Sequence, residues 1–265
     1  MLLTRILTAV IGIPFIFACV YFGNTIFYVM MFFISFLCVY EYLFILKKYN
    51  PHVLASLIMA AAFFVFLHFF ENFSVNKVTV SAIVMAVVLF GIEIFKEKRG
   101  SRVVRISLSF LGAFLIPLAL MHMVYIRGLN GGMGLVFFVF IVVWTLDTAA
   151  YAFGKILGRH KLAVNISPKK TIEGAVAGII FGILGAVICK YKFMSNILTL
   201  GDSIILGFVI AVAGQFSDLC ESVVKRDGNV KDSGKIIPGH GGVFDRFDSY
   251  IFAAPAVYYV LELLK

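Results

Sequence analysis

Nine stretches of this chain, near residues 5–22, 25–46, 53–70, 78–95, 106–126, 133–153, 173–190, 202–221 and 249–264, are apolar almost without interruption. A helix needs roughly 20 such residues to cross the hydrocarbon core of a bilayer. The expected fold is therefore all-α: a polytopic integral membrane protein with about nine transmembrane helices. Composition agrees, because only 14% of the 265 residues are charged, against about 25% in an average soluble domain. The first stretch follows Arg5 and reads as a retained span, since its apolar run continues past Cys19 where a cleaved leader would stop. Cys19, Cys38, Cys189 and Cys220 all fall inside spans, at spacings that suit neither a disulfide framework nor a metal site.

Charge sets the orientation. With the amino terminus in the cytoplasm, 18 of the 23 Lys and Arg fall on cytoplasmic segments, as the positive-inside bias requires. The net charge of +9 then sits beside anionic lipid headgroups. Topology accounts for it, and no nucleic acid partner is needed. The expected location is the cell membrane, multi-pass, with any polar site on the cytoplasmic side.

Two parts differ in character. Residues 1–130 are spans with short connections, a lipid-facing scaffold. Residues 131–265 carry acids inside their spans and Gly, Lys and Asp in their loops. In the first part "FKEKRGSRVVR" (Phe95 to Arg105) is the strongly charged loop and reads as a headgroup-facing anchor. In the second, Gly174, Gly178 and Gly182 repeat every four residues. Small residues on one helical face let helices approach closely in lipid, within one chain or in a homodimer. No internal repeat is visible, which weighs against a transporter built from inverted halves.

Acids within apolar spans are costly and mark function by default. Glu41, near the end of its span, could simply pair with a neighbouring Lys or Arg. Asp147 precedes Lys155 by eight residues and Asp218 precedes Lys225 by seven. Both carboxylates thus lie about 10–12 Å below the cytoplasmic surface, a common depth that suggests a shared water-filled pocket. Glu221 follows Asp218 one helical turn on.

The densest polar run is "KDSGKIIPGHGGVFDRFDSY" (Lys231 to Tyr250). Asp245 and Asp248 are three apart and face one way if a helix has begun. Carboxylates beside a phosphate site suggest Mg²⁺, a hard ion that takes oxygen ligands. Gly239, Gly241 and Gly242 permit backbone conformations that aim N–H groups at an anion. Lys225, Arg226, Lys231 and Lys235 flank them with charge enough for a polyphosphate. His240, with no second histidine nearby, suits a hydrogen-bond donor or a base and not zinc. In "NISPKKTIEG" (Asn165 to Gly174), Ser167 is expected as an N-cap and Pro168 as the first helical residue. That would place Lys169 and Lys170 in the first turn, where the helix dipole opposes cations unless an anion is bound.

"SVVKRDGNVKDSGKIIPGHGGVFDRFD" (Ser222 to Asp248) resembles the diagnostic stretch of the phosphatidate cytidylyltransferases, also called CDP-diacylglycerol synthases. "SPKKTIEG" (Ser167 to Gly174) resembles that family's second motif, and the specific similarity covers about residues 144–250. The resemblance implies that CTP and phosphatidic acid give CDP-diacylglycerol and pyrophosphate, with Mg²⁺ required and a second cation allowed. It implies Asp218 and Asp245 at the metal, with Asp248 and Asp147 as further ligands or supporting groups. Lys225 and His240 join Asp218 and Asp245 as the catalytic set. Ser167, Lys169, Lys170, Lys225, Arg226, Lys231, Lys235, His240, Gly241, Gly242 and Arg246 would bind the substrates. A CTP-dependent polyprenol kinase is the nearest alternative, and an ion-coupled transporter using Asp147 and Asp218 a more distant one. A CDP-alcohol phosphotransferase fits less well, because Asp245 and Asp248 are three apart and that family spaces its acids by four.

Overall fold

The computed structural model describes residues 2–69, 75–96 and 101–264. Among them are nine α-helices: α1 (Leu2–Phe22), α2 (Asn24–Ile45), α3 (Val53–Phe69), α4 (Val75–Ile94), α5 (Arg102–Gly128), α6 (Gly132–Ile156), α7 (Ile172–Phe193), α8 (Leu200–Asp227) and α9 (Phe244–Leu263). One antiparallel hairpin, β1 (Lys161–Ala163) and β2 (Ser167–Thr171), stands between α6 and α7. The described residues are thus nearly all helix. Among the described residues, six helices are long and apolar enough to cross a membrane, namely α2, α4, α5, α6, α7 and α8. The apolar helix α3, Val53–Phe69, is shorter. Outward faces are greasy: on α4, Val80, Ile83, Val84 and Val87 are all exposed. Such a surface is stable against acyl chains and not against water, so the chain is a multi-pass membrane protein.

The chain divides into two compact units. The first comprises residues 1–14, 28–121 and 224–247. Its core includes Met31, Leu43, Leu46, Phe64 and Leu89, all under 2% exposed. The end of α8 belongs here: Val230 donates its N–H to the carbonyl of Lys225, and Asn229 turns the chain with φ +58°. Asp227 at that end accepts from the Tyr49 hydroxyl at 2.9 Å.

The first unit also holds a charge cluster built on Arg105, which the sequence reading placed in a headgroup-facing anchor. Arg105 Nε and Nη2 reach the two oxygens of Glu93 at 2.7 and 2.8 Å, and His52 Nε2 stands 2.8 Å from Oε1. The three residues are 2–7% exposed. Lys96 Nζ lies 3.3 Å from His52 Nδ1. An ammonium only donates, so Nδ1 accepts and the ring proton is on Nε2, toward Glu93. Burial, helped by the Lys96 charge, holds His52 below the ordinary imidazole pKa. Part of "FKEKRGSRVVR" is therefore a buried clamp, because Arg105 finds a carboxylate in α4. Lys98 and Arg99 of that loop, like Lys265, lie outside the described residues.

The second unit comprises residues 15–27, 122–223 and 248–265. Its core includes Phe138, Val139, Leu146, Leu206, Ile210 and Ala254. The glycine face of α7 is filled within this unit. A Cβ at Gly174 would lie 2.7 Å from the carbonyl of Ala150 in α6, and one at Gly182 3.1 Å from Ala211 Cβ in α8. Backbones pack where side chains would collide, as four-residue glycine spacing predicts. Cys19, Cys38 and Cys189 are buried and Cys220 is half-buried.

The start of α7 differs from expectation. Ser167 is not its N-cap, nor Pro168 its first residue: both lie in β2, with Ser167 in register with Ala163 and Thr171 with Lys161. Thr171 is the cap, its Oγ accepting the N–H of Gly174 at 3.2 Å. Glu173, an acid, occupies the first turn in place of two lysines, which the helix dipole favours. Its carboxylate accepts from the N–H groups of Arg159 and His160 at 3.1 and 3.2 Å and so ties down the hairpin's entry.

Candidate active site

Two polar clusters gather the residues singled out in the sequence, one in each unit. In the second unit a cavity of about 530 Å³ opens among α6, α7, α8 and the hairpin. α6 supplies Asp147, Tyr151 and Lys155, β2 supplies Lys169 and Lys170, and α8 supplies Gln215 and Asp218. Ser167 is not among the residues that line it. Lys170 Nζ sits 2.5 Å from Asp218 Oδ2, both about 30% exposed. The strand, by ending at Thr171, carries Lys170 out over the cavity instead of winding it into a helix. Gln215 donates to the carbonyl of Ala175 at 3.2 Å and closes the wall between α7 and α8.

In the same unit, Asp218, Glu221 and Asp248 bring one carboxylate oxygen each to within 4.8 Å of one another. α8 presents the first two a turn apart, and α9 brings the third. Glu221 is 2% and Asp248 9% exposed. Asp248 is fixed through its backbone, whose carbonyl accepts the Ser217 hydroxyl. Ser249 N–H donates to its Oδ1 at 2.7 Å. Two unit charges about 4 Å apart repel by about 4 kcal/mol at the dielectric typical of a protein surface. Three carboxylates held this close by two rigid helices favour a cation. Their donors are all oxygen, which suits a hard divalent ion. Of the acids that the sequence reading named for a metal, Asp218 and Asp248 are in this cluster and Asp147 and Asp245 are not, while Glu221 is added to it. Its spacing of three from Asp218 was the signal for it.

The first unit places the other motif residues. Lys225 Nζ donates to Asp245 Oδ1 at 2.8 Å. Asp245 Oδ2 accepts the N–H of Ser233 at 2.8 Å and that of Gly242 at 2.9 Å. Gly239 and Gly241 have φ of +77° and +90°, a region open to glycine. They allow the tight fold in which Ile237 pairs with Gly241. Arg246 Nε donates to the His240 carbonyl at 3.1 Å. Arg226, Lys231, Lys235 and Arg246 are exposed, and His240 is half-buried. Here the anions facing the amides of the glycine turn are the protein's own carboxylates.

A multi-pass helical membrane protein with clustered carboxylates, a lysine-lined cavity and a cationic glycine loop is the class that these observations define. The family model described as "Cytidylyltransferase family" matches residues 3–264, and the chain belongs to that family. It is 34% identical to the phosphatidate cytidylyltransferase of Bacillus subtilis, over 98% of both chains. The Staphylococcus haemolyticus protein of the same name is 42% identical over 126 residues, 48% of each chain. That of Synechocystis is 45% identical over 47% of this chain and 42% of its own length. The chain thus aligns with about half the length of these two relatives, and with nearly all of the Bacillus protein.

Proposed function

We propose that this protein transfers the cytidylyl group of CTP to phosphatidic acid, leaving CDP-diacylglycerol in the membrane and releasing pyrophosphate. The observation that carries this reading is the convergence of Asp218, Glu221 and Asp248, in a unit whose cavity is lined by Lys155, Lys169 and Lys170. Family membership and the name of the Bacillus relative support it.

A phosphate oxygen of phosphatidate is anionic near neutral pH, so its attack needs no strong base. It forms a bond to the α-phosphorus of CTP, while the bond from that phosphorus to the α–β bridging oxygen breaks. The electron pair leaves on pyrophosphate. The protein's task is to position two anions and to offset charge. Lys170 faces Asp218 across the cavity, and a phosphate entering there competes with Asp218 for its ammonium group. Lys155 and Lys169 add positive charge on the same wall, and Asp147 a further carboxylate. Asp218, Glu221 and Asp248 are the residues that would hold Mg²⁺, by their all-oxygen donor set. Bound there, the ion would neutralise charge on the reacting phosphates. In the first unit, Arg226, Lys231 and Lys235 are the exposed cations suited to a polyphosphate, and Lys225 is oriented by Asp245.

The reading extends to topology: nine spans, a cytoplasmic amino terminus and catalysis at the cytoplasmic face of the cell membrane. It is supported by the placement of 18 of 23 basic residues on that side. A dimer would have to use a face other than the glycine seam, which α6 and α8 fill.

The test is incubation in detergent with phosphatidic acid, Mg²⁺ and CTP labelled at either the α- or the γ-phosphate. The expected result is α-label in the lipid and γ-label in pyrophosphate. γ-Label on a lipid with accumulation of CDP would replace this reading with a kinase. No transfer with any lipid or divalent ion would end it.

A further inference from the structure

Glu41 was expected to pair with a neighbouring Lys or Arg, and it does something else. It is 1% exposed, on α2. Its Oε1 accepts the N–H of Val243 at 3.1 Å, and its Oε2 the N–H of Phe244 at 2.8 Å. The Ser233 hydroxyl reaches the same Oε2 at 2.8 Å. Val243 and Phe244 stand where α9 begins, and the first N–H groups of a helix have no partner within it. A carboxylate there also meets the positive end of the helix dipole. Glu41 therefore caps α9 from a helix 203 residues away in the chain.

The loop is shaped around this carboxylate. A Cβ at Gly234 would lie 2.4 Å from Glu41 Oε1, and one at Gly242 2.3 Å from Oε2 and 2.0 Å from Ser233 Oγ. Ser233 links Glu41 to the motif residues. Its hydroxyl is also 2.9 Å from Asp245 Oδ2, and its N–H donates to that oxygen. A hydroxyl carries one proton and serves one carboxylate as donor at a time. With that proton on Glu41, Asp245 keeps the N–H groups of Ser233 and Gly242 and the ammonium of Lys225. The run Glu41–Ser233–Asp245–Lys225 thus links a fixed buried anchor to a charged motif lysine.

From this geometry we infer that Glu41 is a positioning residue for the reaction, holding the 231–244 loop so that Asp245 and Lys225 keep their orientation. The inference rests on the cytidylyl-transfer reading for its catalytic consequence but not for the hold itself, and its test separates the two. Glu41→Gln preserves volume but places an amide NH₂ against a backbone N–H or the Ser233 hydroxyl. Gly242→Ala attacks the same contact from the loop side. Lys235 in the loop is exposed, so trypsin cleavage there reports release of the loop without any reference to activity. Each variant is expected to raise the Lys235 cleavage rate about tenfold and to lower kcat about ten- to a hundredfold, the range for charged hydrogen bonds. KM for CTP should rise as well, because Lys231 and Lys235 ride on the released loop, and the unfolding temperature of Glu41→Gln should stay near that of the parent. Unchanged cleavage in Glu41→Gln overturns the hold. Faster cleavage with unchanged kcat, or a kcat loss explained by the unfolded fraction alone, overturns the positioning role. A parent protein with no cytidylyl transfer sinks the proposed function, and the cleavage rates then decide the hold by themselves.

Discussion

The two densest groups of charged side chains teach opposite lessons. In the first unit Glu93 receives both arms of Arg105 and the His52 ring. Its charge is answered on every side by donors that neighbouring helices hold in place. In the second, Asp218, Glu221 and Asp248 converge with their oxygens within 4.8 Å, and Lys170 contacts one of them, Asp218. A buried carboxylate saturated with fixed donors secures a fold. Carboxylates that two helices bring together would suit a hard divalent cation. Both groups are largely buried, so burial alone does not tell the clamp from the candidate site. The guanidinium seated on Glu93, against three acids converging on one another, does.

The largest expected effect breaks the clamp. Arg105→Ala strands the Glu93 carboxylate in a buried place and should cost about 3–5 kcal/mol of stability, read by chemical unfolding in detergent. The molecules that remain folded should turn over normally. Abolished turnover in that folded fraction would erase the distinction between the two groups. Next, Asp218→Asn or Asp248→Asn should lower kcat by about 10²–10³-fold, the range seen when one charge-stabilising group is removed from a site. The unfolding temperature should hold or rise, because mutual repulsion is relieved. A large drop in that temperature would make the acids a clamp of their own.

A smaller effect is a dependence on pH. His52 is held below its usual pKa by burial and by Lys96. As pH falls through about 6.5 the unfolded chain takes up a proton that the folded protein declines. Stability should be level above that point and decline below it, by at most about 1.4 kcal/mol per pH unit. His52→Gln should flatten that decline in unfolding curves recorded from pH 7.5 to pH 5, and an identical slope would show that another group titrates. Smallest is Thr171→Ala, which removes the cap of α7. It should cost about 1 kcal/mol and leave Asp218 chemistry nearly intact, as measured by unfolding and by kcat together.

The helices were legible because a run of apolar residues near bilayer length has few alternatives, and the spans drawn from sequence overlap all nine described helices. The hairpin was not. Ser167-Pro168 is a sound local helix start, and the pairing that overrides it comes from Lys161–Ala163, whose own sequence carries no strand signal. A conflict was still visible in Lys169 and Lys170, which a helix start disfavours. Glu221 could be read from its spacing to Asp218. Arg105, twelve residues from Glu93, looked like part of a solvated anchor because local sequence does not reveal which charges meet. Glu41 was the least legible, because a pair of backbone N–H groups leaves no mark in the side-chain code.

That last contact also has a bearing on biosynthesis. A polypeptide enters the membrane from its amino end, so α2 is laid down long before the ribosome reaches Val243 and Phe244. The bond that seats the polar loop joins residues 41 and 244, and it closes only after residue 244 has been made. Contacts of such sequence separation form late and slowly. An interrupted chain, however well inserted, would therefore lack a seated loop. The order of manufacture becomes a form of proofreading, in which the loop is set only after the bilayer has accepted the helices that precede it.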